Sequence, residues 1–225
     1  VTSPPARAPR NTLSRDRIIA AAKKIADDEG LDAVTIRRIA AELGVKAMAV
    51  YHHVTNKDEI LDELIDLVFS EVEAPAISGP WRDELARRCR SMREALRRHP
   101  WAVGLMETRG TPGPANLAGH EAVLGVLRAA GFSIPATAHA FAILDAFVYG
   151  FVLQETMLDI VEITEIAPDF AAAINPALFP HLTEMTTQHV MSDGYRFADS
   201  FEVGLTLTLD GIGRLLDPGE LAAPE

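Results

Sequence analysis

Along most of the chain apolar residues return every three or four positions, and no stretch alternates in the manner of a strand bounded by hairpin turns. A chain patterned this way buries its apolar side chains by packing helix on helix, so an all-α fold is expected. In LSRDRIIAAAKKIADDEG, Ser14 can cap a first helix, Ile18, Ala22 and Ile25 form an i, i+4, i+7 stripe, and Gly30 supplies a left-handed stop. Thr35 can cap IRRIAAEL, whose Ile36, Ile39 and Leu43 share a face, and Gly44 ends it. The spacing predicts a short third helix over roughly 47–53. Asn56 can cap a fourth, KDEILDELIDLVFSEV, with Ile60, Leu64, Leu67 and Val68 inward.

Beyond the break EAPAISGP (73–80), WRDELARRCRSMREALRRH places Trp81, Leu85, Cys89, Met92 and Leu96 on one side and seven arginines elsewhere. That charged face reads as a solvated surface paired with nearby acids, with a second DNA surface as the alternative. A helix near 101–109, the loop GTPGP (110–114), a helix to Gly131, an apolar helix from near Pro135, a less regular segment over 162–195 and a last helix near 197–216 bring the count to about ten. No internal repeat is visible.

Charge divides the chain unevenly. Residues 1–57 carry ten Lys/Arg against six Asp/Glu, a net of +4, and the remainder carries eleven against twenty-six, a net of −15. Every lysine lies at or before Lys57. A basic amino-terminal module on an acidic body meets a polyanion with one end. The one cysteine, Cys89, leaves no intrachain disulfide and fits a reducing, cytoplasmic compartment. VTSPPARAPRNT, residues 1–12, lacks an apolar segment and is expected to be a disordered basic arm rather than a signal or anchor. The most apolar run, AFAILDAFVYGFVL (140–153), is fourteen residues and contains Asp145, which points to a buried helix and no membrane partner.

Residues 35–53 have the spacing of a helix-turn-helix: a helix ending at Gly44, a tight turn, and small Ala40 where two helices must cross closely. Val45, Val50 and Val54 fill the core beneath, which leaves Lys46, Ala47, Ala49, Tyr51, His52 and His53 facing outward. Donors, acceptors and small apolar groups in that mixture suit base edges, phosphates and thymine methyls. His52 and His53 diverge by about 100° on a helix, so one metal ion can hardly collect both. Lys57, just past an N-cap, can join the helix N-terminus in holding a phosphate.

TIRRIAAELGVKAMAVYHHVTNKDEILDEL resembles the DNA-binding module of the TetR (tetracycline repressor) family over about residues 13–66. WRDELARRCRSMREALRRHP, GFS (131–133), FVYGFVLQE (147–155) and FEVGLTLTLDGIGRLL (201–216) resemble the regulatory domain of its tetracycline-repressor subgroup. The resemblance implies a helix-turn-helix domain over 13–57, a helical regulatory, ligand-binding and dimerisation domain over 58–217 and a flexible tail over 218–225. It also implies a homodimer on a palindromic double-stranded operator, released by a small organic effector. Carried over by position, Thr35, Arg37, Lys46, Ala47, Met48, Ala49, Tyr51, His52, His53 and Lys57 stand at the DNA. Lys-Ala-Met-Ala at 46–49 departs from the more polar tetracycline repressor, so the operator should differ.

For the effector, Met106 stands where the subgroup carries the histidine that binds a drug-borne magnesium, and a thioether suits a hard cation poorly. No metal or cofactor is therefore expected. The remaining pocket candidate is apolar, with Met92, Trp101 and Met106 on one side and Phe141, Asp145 and Tyr149, at i, i+4 and i+8, on the other. Arg88 and Arg109 are within reach. Asp145 needs a partner in so apolar a helix, and either an internal arginine such as Arg88 or a ligand donor can serve. The apolar stripe Phe201, Leu205, Leu209 and Ile212, with Gly204, Gly211 and Gly213, is expected to pair with the apolar helix across a twofold axis. The other reading, a helical enzyme with an appended interaction module, finds no phosphate loop, nucleophile elbow or metal-ligand cluster in the sequence.

Overall fold

A computed structural model describes residues 13–106, 112–161 and 163–216. Among these, every regular element is helical, as the periodicity requires. The helices are α1 (Arg15–Glu29), α2 (Ile36–Glu42), α3 (Ala47–Val50), α4 (Lys57–Ser70), α5 (Trp81–Arg98), α6 (Trp101–Met106), α7 (Pro114–Ala129), α8 (Ile134–Val161), α9 (Ile163–Ala173), α10 (Pro180–Met185) and α11 (Ser200–Gly213). The arm 1–12, Arg109 and the tail 218–225 lie outside the described residues.

The caps fall where the sequence places them. Ser14 Oγ accepts from Arg17 N–H at 3.3 Å, Thr35 Oγ1 from Arg38 N–H at 3.1 Å and Asn56 Oδ1 from Glu59 N–H at 2.8 Å. Each satisfies a donor that a helix start leaves open, about 1 kcal/mol apiece. Gly44 sits at φ 65° and closes α2 with paired bonds, Val45 N–H to Ala40 O at 2.9 Å and Gly44 N–H to Ala41 O at 3.2 Å. The third helix is shorter than expected: α3 ends at Val50, and residues 51–53 form a turn closed by His53 N–H to Val50 O at 2.9 Å.

Helices α1 to α3 close around Ile18, Ala22, Ile25, Ile39, Val50 and Val54, all essentially buried. α4 completes this module with Ile60 and Leu64, and its other end packs on α5, α6 and α7. The same continuous core runs on through the larger half, where it gathers Leu85, Leu96, Val126, Leu127, Val152, Phe201 and Leu205 from α5, α7, α8 and α11. Each such side chain contributes roughly 1.5–3 kcal/mol by leaving water.

α8 spans the stretch expected of it, from near Pro135 to the segment that begins at 162, but its apolar part is longer than the fourteen-residue run: of its 28 residues, 25 have the length and composition of a membrane span. Its packing on α5, α7 and α11, and the buried Glu155 held by Arg93 of α5, make it the central helix of the larger half. The segment 162–195 is also more regular than expected. Pro168 lies inside α9 and Pro180 opens α10, so residues that ordinarily break helices stand within or at the start of them.

The α11 stripe assigned to a twofold contact is spent within the chain. Phe201, Leu205, Leu209 and Ile212 are buried, and a Cβ at Gly204 would stand 2.6 Å from Phe147. On the other side of α11, Val203 and Leu207 are 63% and 66% exposed, and Ile143, Leu153 and Met157 of α8, the helix on which α11 packs, are exposed as well.

Candidate nucleic-acid interface and ligand cavity

In the amino-terminal module most of the residues expected at the DNA are open to solvent. Thr35, Arg37, Lys46, Met48, Tyr51, His52 and Lys57 are exposed, and Ala47, Ala49 and His53 are half-buried. Met48 is 67% exposed, so the most prominent side chain of α3 is apolar. Arg37 and Arg38 adopt opposite fates. Arg38 is held by Glu29 at 2.6 Å and Glu42 at 2.9 Å, whereas Arg37, Lys46 and Lys57 have no ion pair among the described residues. Exposed cations without an ion pair among the described residues can each take a phosphate or a base edge.

Sequence reasoning missed the brace beneath these residues. Arg15 of α1 pairs with Glu59 and Glu63 of α4 and donates through Nη1 to the His53 carbonyl at 3.1 Å. It thereby fixes the end of the recognition segment against both neighbouring helices. These hydrogen bonds to carboxylates raise the Arg15 pKa, so it is cationic throughout the physiological range.

In the larger half, a cavity of about 270 Å³ opens between α4, α6, α7 and α8, lined by Ile65, Phe69, Val103, Met106, Asn116, His120, Asp145, Tyr149 and Leu153 among others. A lobe of about 20 Å³ adjoins it, lined by Arg88, Cys89, Met92, Phe141, Asp145 and Tyr149 with four aliphatic neighbours. Asp145 and Tyr149 belong to both. Of the residues expected here, Met106, Asp145 and Tyr149 face the main cavity and Arg88, Met92 and Phe141 the lobe.

Trp101 is placed elsewhere. Its indole N–H donates to Asp27 of α1 at 2.8 Å, which turns the ring toward the amino-terminal module. The same carboxylate meets His99 Nδ1 at 2.6 Å, and His99 Nε2 lies 3.2 Å from Glu71 at the end of α4. Burial would raise the Asp27 carboxyl, but the bonds from Trp101 and His99 outweigh it and hold it below its ordinary value.

His120 and Asn116, both on α7, are cavity residues that sequence reasoning missed. Reading Met106 as the replacement for a pocket histidine does not leave the cavity without one, because His120 enters from the opposite wall. Its ring stands edge-on to Phe141 at 4.8 Å. Burial and then the charge of Arg88 lower its pKa, favouring the neutral imidazole. Asn116 Oδ1 is buried and accepts no hydrogen bond among the described residues. Burial pushes Asp145 up to about 6, against the pull of Arg88, and raises the Tyr149 hydroxyl. Both are arranged to exchange hydrogen bonds with something that enters.

The other arginines of α5 are paired with acids, as the solvated-face reading has it. Arg82 meets Asp210, Arg87 meets Glu73 and Glu84, Arg90 meets Glu202, Arg93 and Arg97 meet Glu155, and Arg98 meets Glu71.

Comparison with known proteins accords with this arrangement. Residues 18–64 match the description "Bacterial regulatory proteins, tetR family" and residues 75–216 match "Tetracyclin repressor-like, C-terminal domain". The HTH-type transcriptional repressor DrrR1 of Streptomyces coeruleorubidus is 39% identical over 148 residues, which are 65% of this chain and 55% of that protein. An HTH-type transcriptional regulator of Saccharopolyspora erythraea is 38% identical over 146 residues, 64% of this chain and 62% of its own length. The chain thus spans little more than half of the length of these curated relatives. The crystal structure of the Streptomyces coelicolor TetR family protein ActR in complex with actinorhodin superposes with a TM-score of 0.78 at 29% identity, covering 92% of this chain and 99% of that one. With more than half of its residues matched by the carboxy-terminal description and the helix-turn-helix matched ahead of it, the chain belongs to the TetR family of bacterial regulatory proteins.

Proposed function

We propose that the chain is a cytoplasmic, ligand-responsive transcriptional repressor that binds a palindromic operator as a homodimer and leaves it when a small organic molecule fills the cavity. Residues 13–57 supply the DNA contact and residues 58–217 the cavity and dimer contact. The observation that carries this reading is that α4 belongs to both sites and α6 ties the cavity to α1. α4 begins with Lys57 at the DNA-facing surface and places Ile65 and Phe69 in the cavity wall. α6 places Val103 and Met106 in the same wall and ties Trp101 to Asp27 of α1. A ligand that prefers a shifted α4 or α6 necessarily shifts the recognition surface, which is the differential contact that coupling requires.

The relatives support the two halves of the proposal separately. DrrR1 is named a repressor, and ActR was crystallised with an organic ligand bound. Two copies meeting through Val203, Leu207, Ile143 and Met157 would bury apolar surface that a monomer leaves wet.

Selection of binding duplexes from a random pool tests this reading. The enriched sequences are expected to be inverted repeats. On them, Lys57→Ala should flatten the slope of log K against log salt by about 0.9 for each phosphate that is no longer neutralised. Arg37→Ala should relax one base pair per half-site at about 1–3 kcal/mol. Enriched sequences without twofold symmetry, or no retention of DNA, overturn the proposal.

A further inference from the structure

Arg88 differs from every other arginine of its helix. It is 7% exposed, and among the described residues it makes no hydrogen bond and no ion pair. Its guanidinium lies against α7 where Gly119 leaves room, for a Cβ there would stand 3.4 Å from Nη2. Burial lowers its pKa, yet a guanidinium stays protonated in proteins. Among the described residues, therefore, this buried cation has no acceptor.

Asp145 is its counterpart across the lobe. The two attract one another but form no ion pair, and Asp145 accepts no hydrogen bond among the described residues. Asn116 Oδ1 adds a buried acceptor without a donor among the described residues. Groups of this kind are costly unless a partner arrives. The described residues supply neither an anionic acceptor for Arg88 nor the one or two hydrogen-bond donors that Asp145 and Asn116 can take.

Size assigns the ends. The lobe at Arg88, about 20 Å³, holds on the order of one water-sized group, so it admits the polar end of a ligand and excludes a ring. The main cavity is the larger by an order of magnitude and is walled by Phe69, His120 and Tyr149, which suit a flat apolar body. We propose that the effector is an aromatic hydroxy acid, its carboxylate on Arg88, a phenolic hydroxyl on Asp145 or Asn116, and its ring in the main cavity.

This proposal rests on the reading of the cavity as the effector site, and its test separates the two. Hydroxynaphthoic acid and its methyl ester serve as probes in calorimetric titrations of the full chain. The acid is expected to bind at least about tenfold more tightly than the ester, the value of a charge-assisted hydrogen bond. In Arg88→Gln, with a melting curve confirming the fold, that preference should vanish while ester binding persists. The comparison of acid with ester in the unaltered protein needs no variant to fold. Equal binding of the two probes, or binding of neither, overturns the proposal and leaves the DNA-binding reading intact. Binding of the acid through Arg88 without release of the selected duplex upholds the anchor and overturns the release reading instead.

Discussion

Asp145 is a carboxylate that the fold holds at a cost. Its pKa of about 6 against an ordinary 3.8 means that the folded chain holds this proton more tightly than the unfolded chain does. Stability should therefore fall as pH rises from about 4 through about 6, by up to about 3 kcal/mol. Asp145→Asn mimics the protonated form. It is expected to melt higher than the parent at pH 7.5, with the difference closing as the pH is lowered toward 4. A constant difference across that range would mean that Asp145 does not carry the effect. Asp145 was legible in the sequence because a charge interrupts an apolar helix, and Tyr149 because it shares the face. His120 and Asn116 were not, because α7 looks polar at its start. The signal was there in the register: Asn116, His120, Val123 and Leu127 continue one stripe, and the last two are buried.

At the scale of elements, α6 joins the cavity to α1 through Trp101 and Asp27. Trp101→Phe keeps the ring and deletes the bond, at a cost of about 1 kcal/mol. Because the folded Asp27 carboxyl lies below its ordinary 3.8, this contribution is complete above that pH and lost as pH falls through the depressed value. The variant should melt lower than the parent at pH 7, and the two should converge in strong acid. In operator titrations it should also change the ligand concentration needed for release. Unchanged release would remove this tether from the coupling path. Trp101 read as a pocket residue in the sequence because a tryptophan at a helix start beside apolar neighbours carries no sign of which domain it faces. That depends on Asp27, seventy-four positions away. The helix starts, by contrast, were legible throughout the first module, since Ser14, Thr35 and Asn56 act on donors only three residues on. Such local signals said less over 162–195, expected to be less regular, where Pro168 stands inside α9 and Pro180 opens α10.

For the whole molecule, the proposed assembly rests on the spare apolar surface of α8 and α11. Leu207→Glu places a charge at a position that is 66% exposed in one chain and that the proposed dimer would bury. Light scattering should report a monomer, with the helical content of the parent and much weakened affinity for the paired half-sites. A dimer of unchanged stability would locate the contact elsewhere. The stripe chosen from the sequence was the wrong one, because periodicity marks which face of α11 is apolar and cannot say whether the chain itself consumes that face. The shared helix α4 has a mechanical consequence as well. From Phe69 at the cavity to Lys57 at the DNA it is a rigid arm of about 18 Å, at 1.5 Å per residue. A tilt of about 6° at the cavity end then carries Lys57 through about 2 Å, several times the latitude of a hydrogen bond. In the proposed dimer, with a twofold partner swinging the opposite way, the two reading heads would part company by about 4 Å, while the DNA holds its half-sites at a fixed pitch. Leverage would then turn a displacement smaller than an atom's diameter, made around a ligand, into a mismatch that a double helix cannot follow.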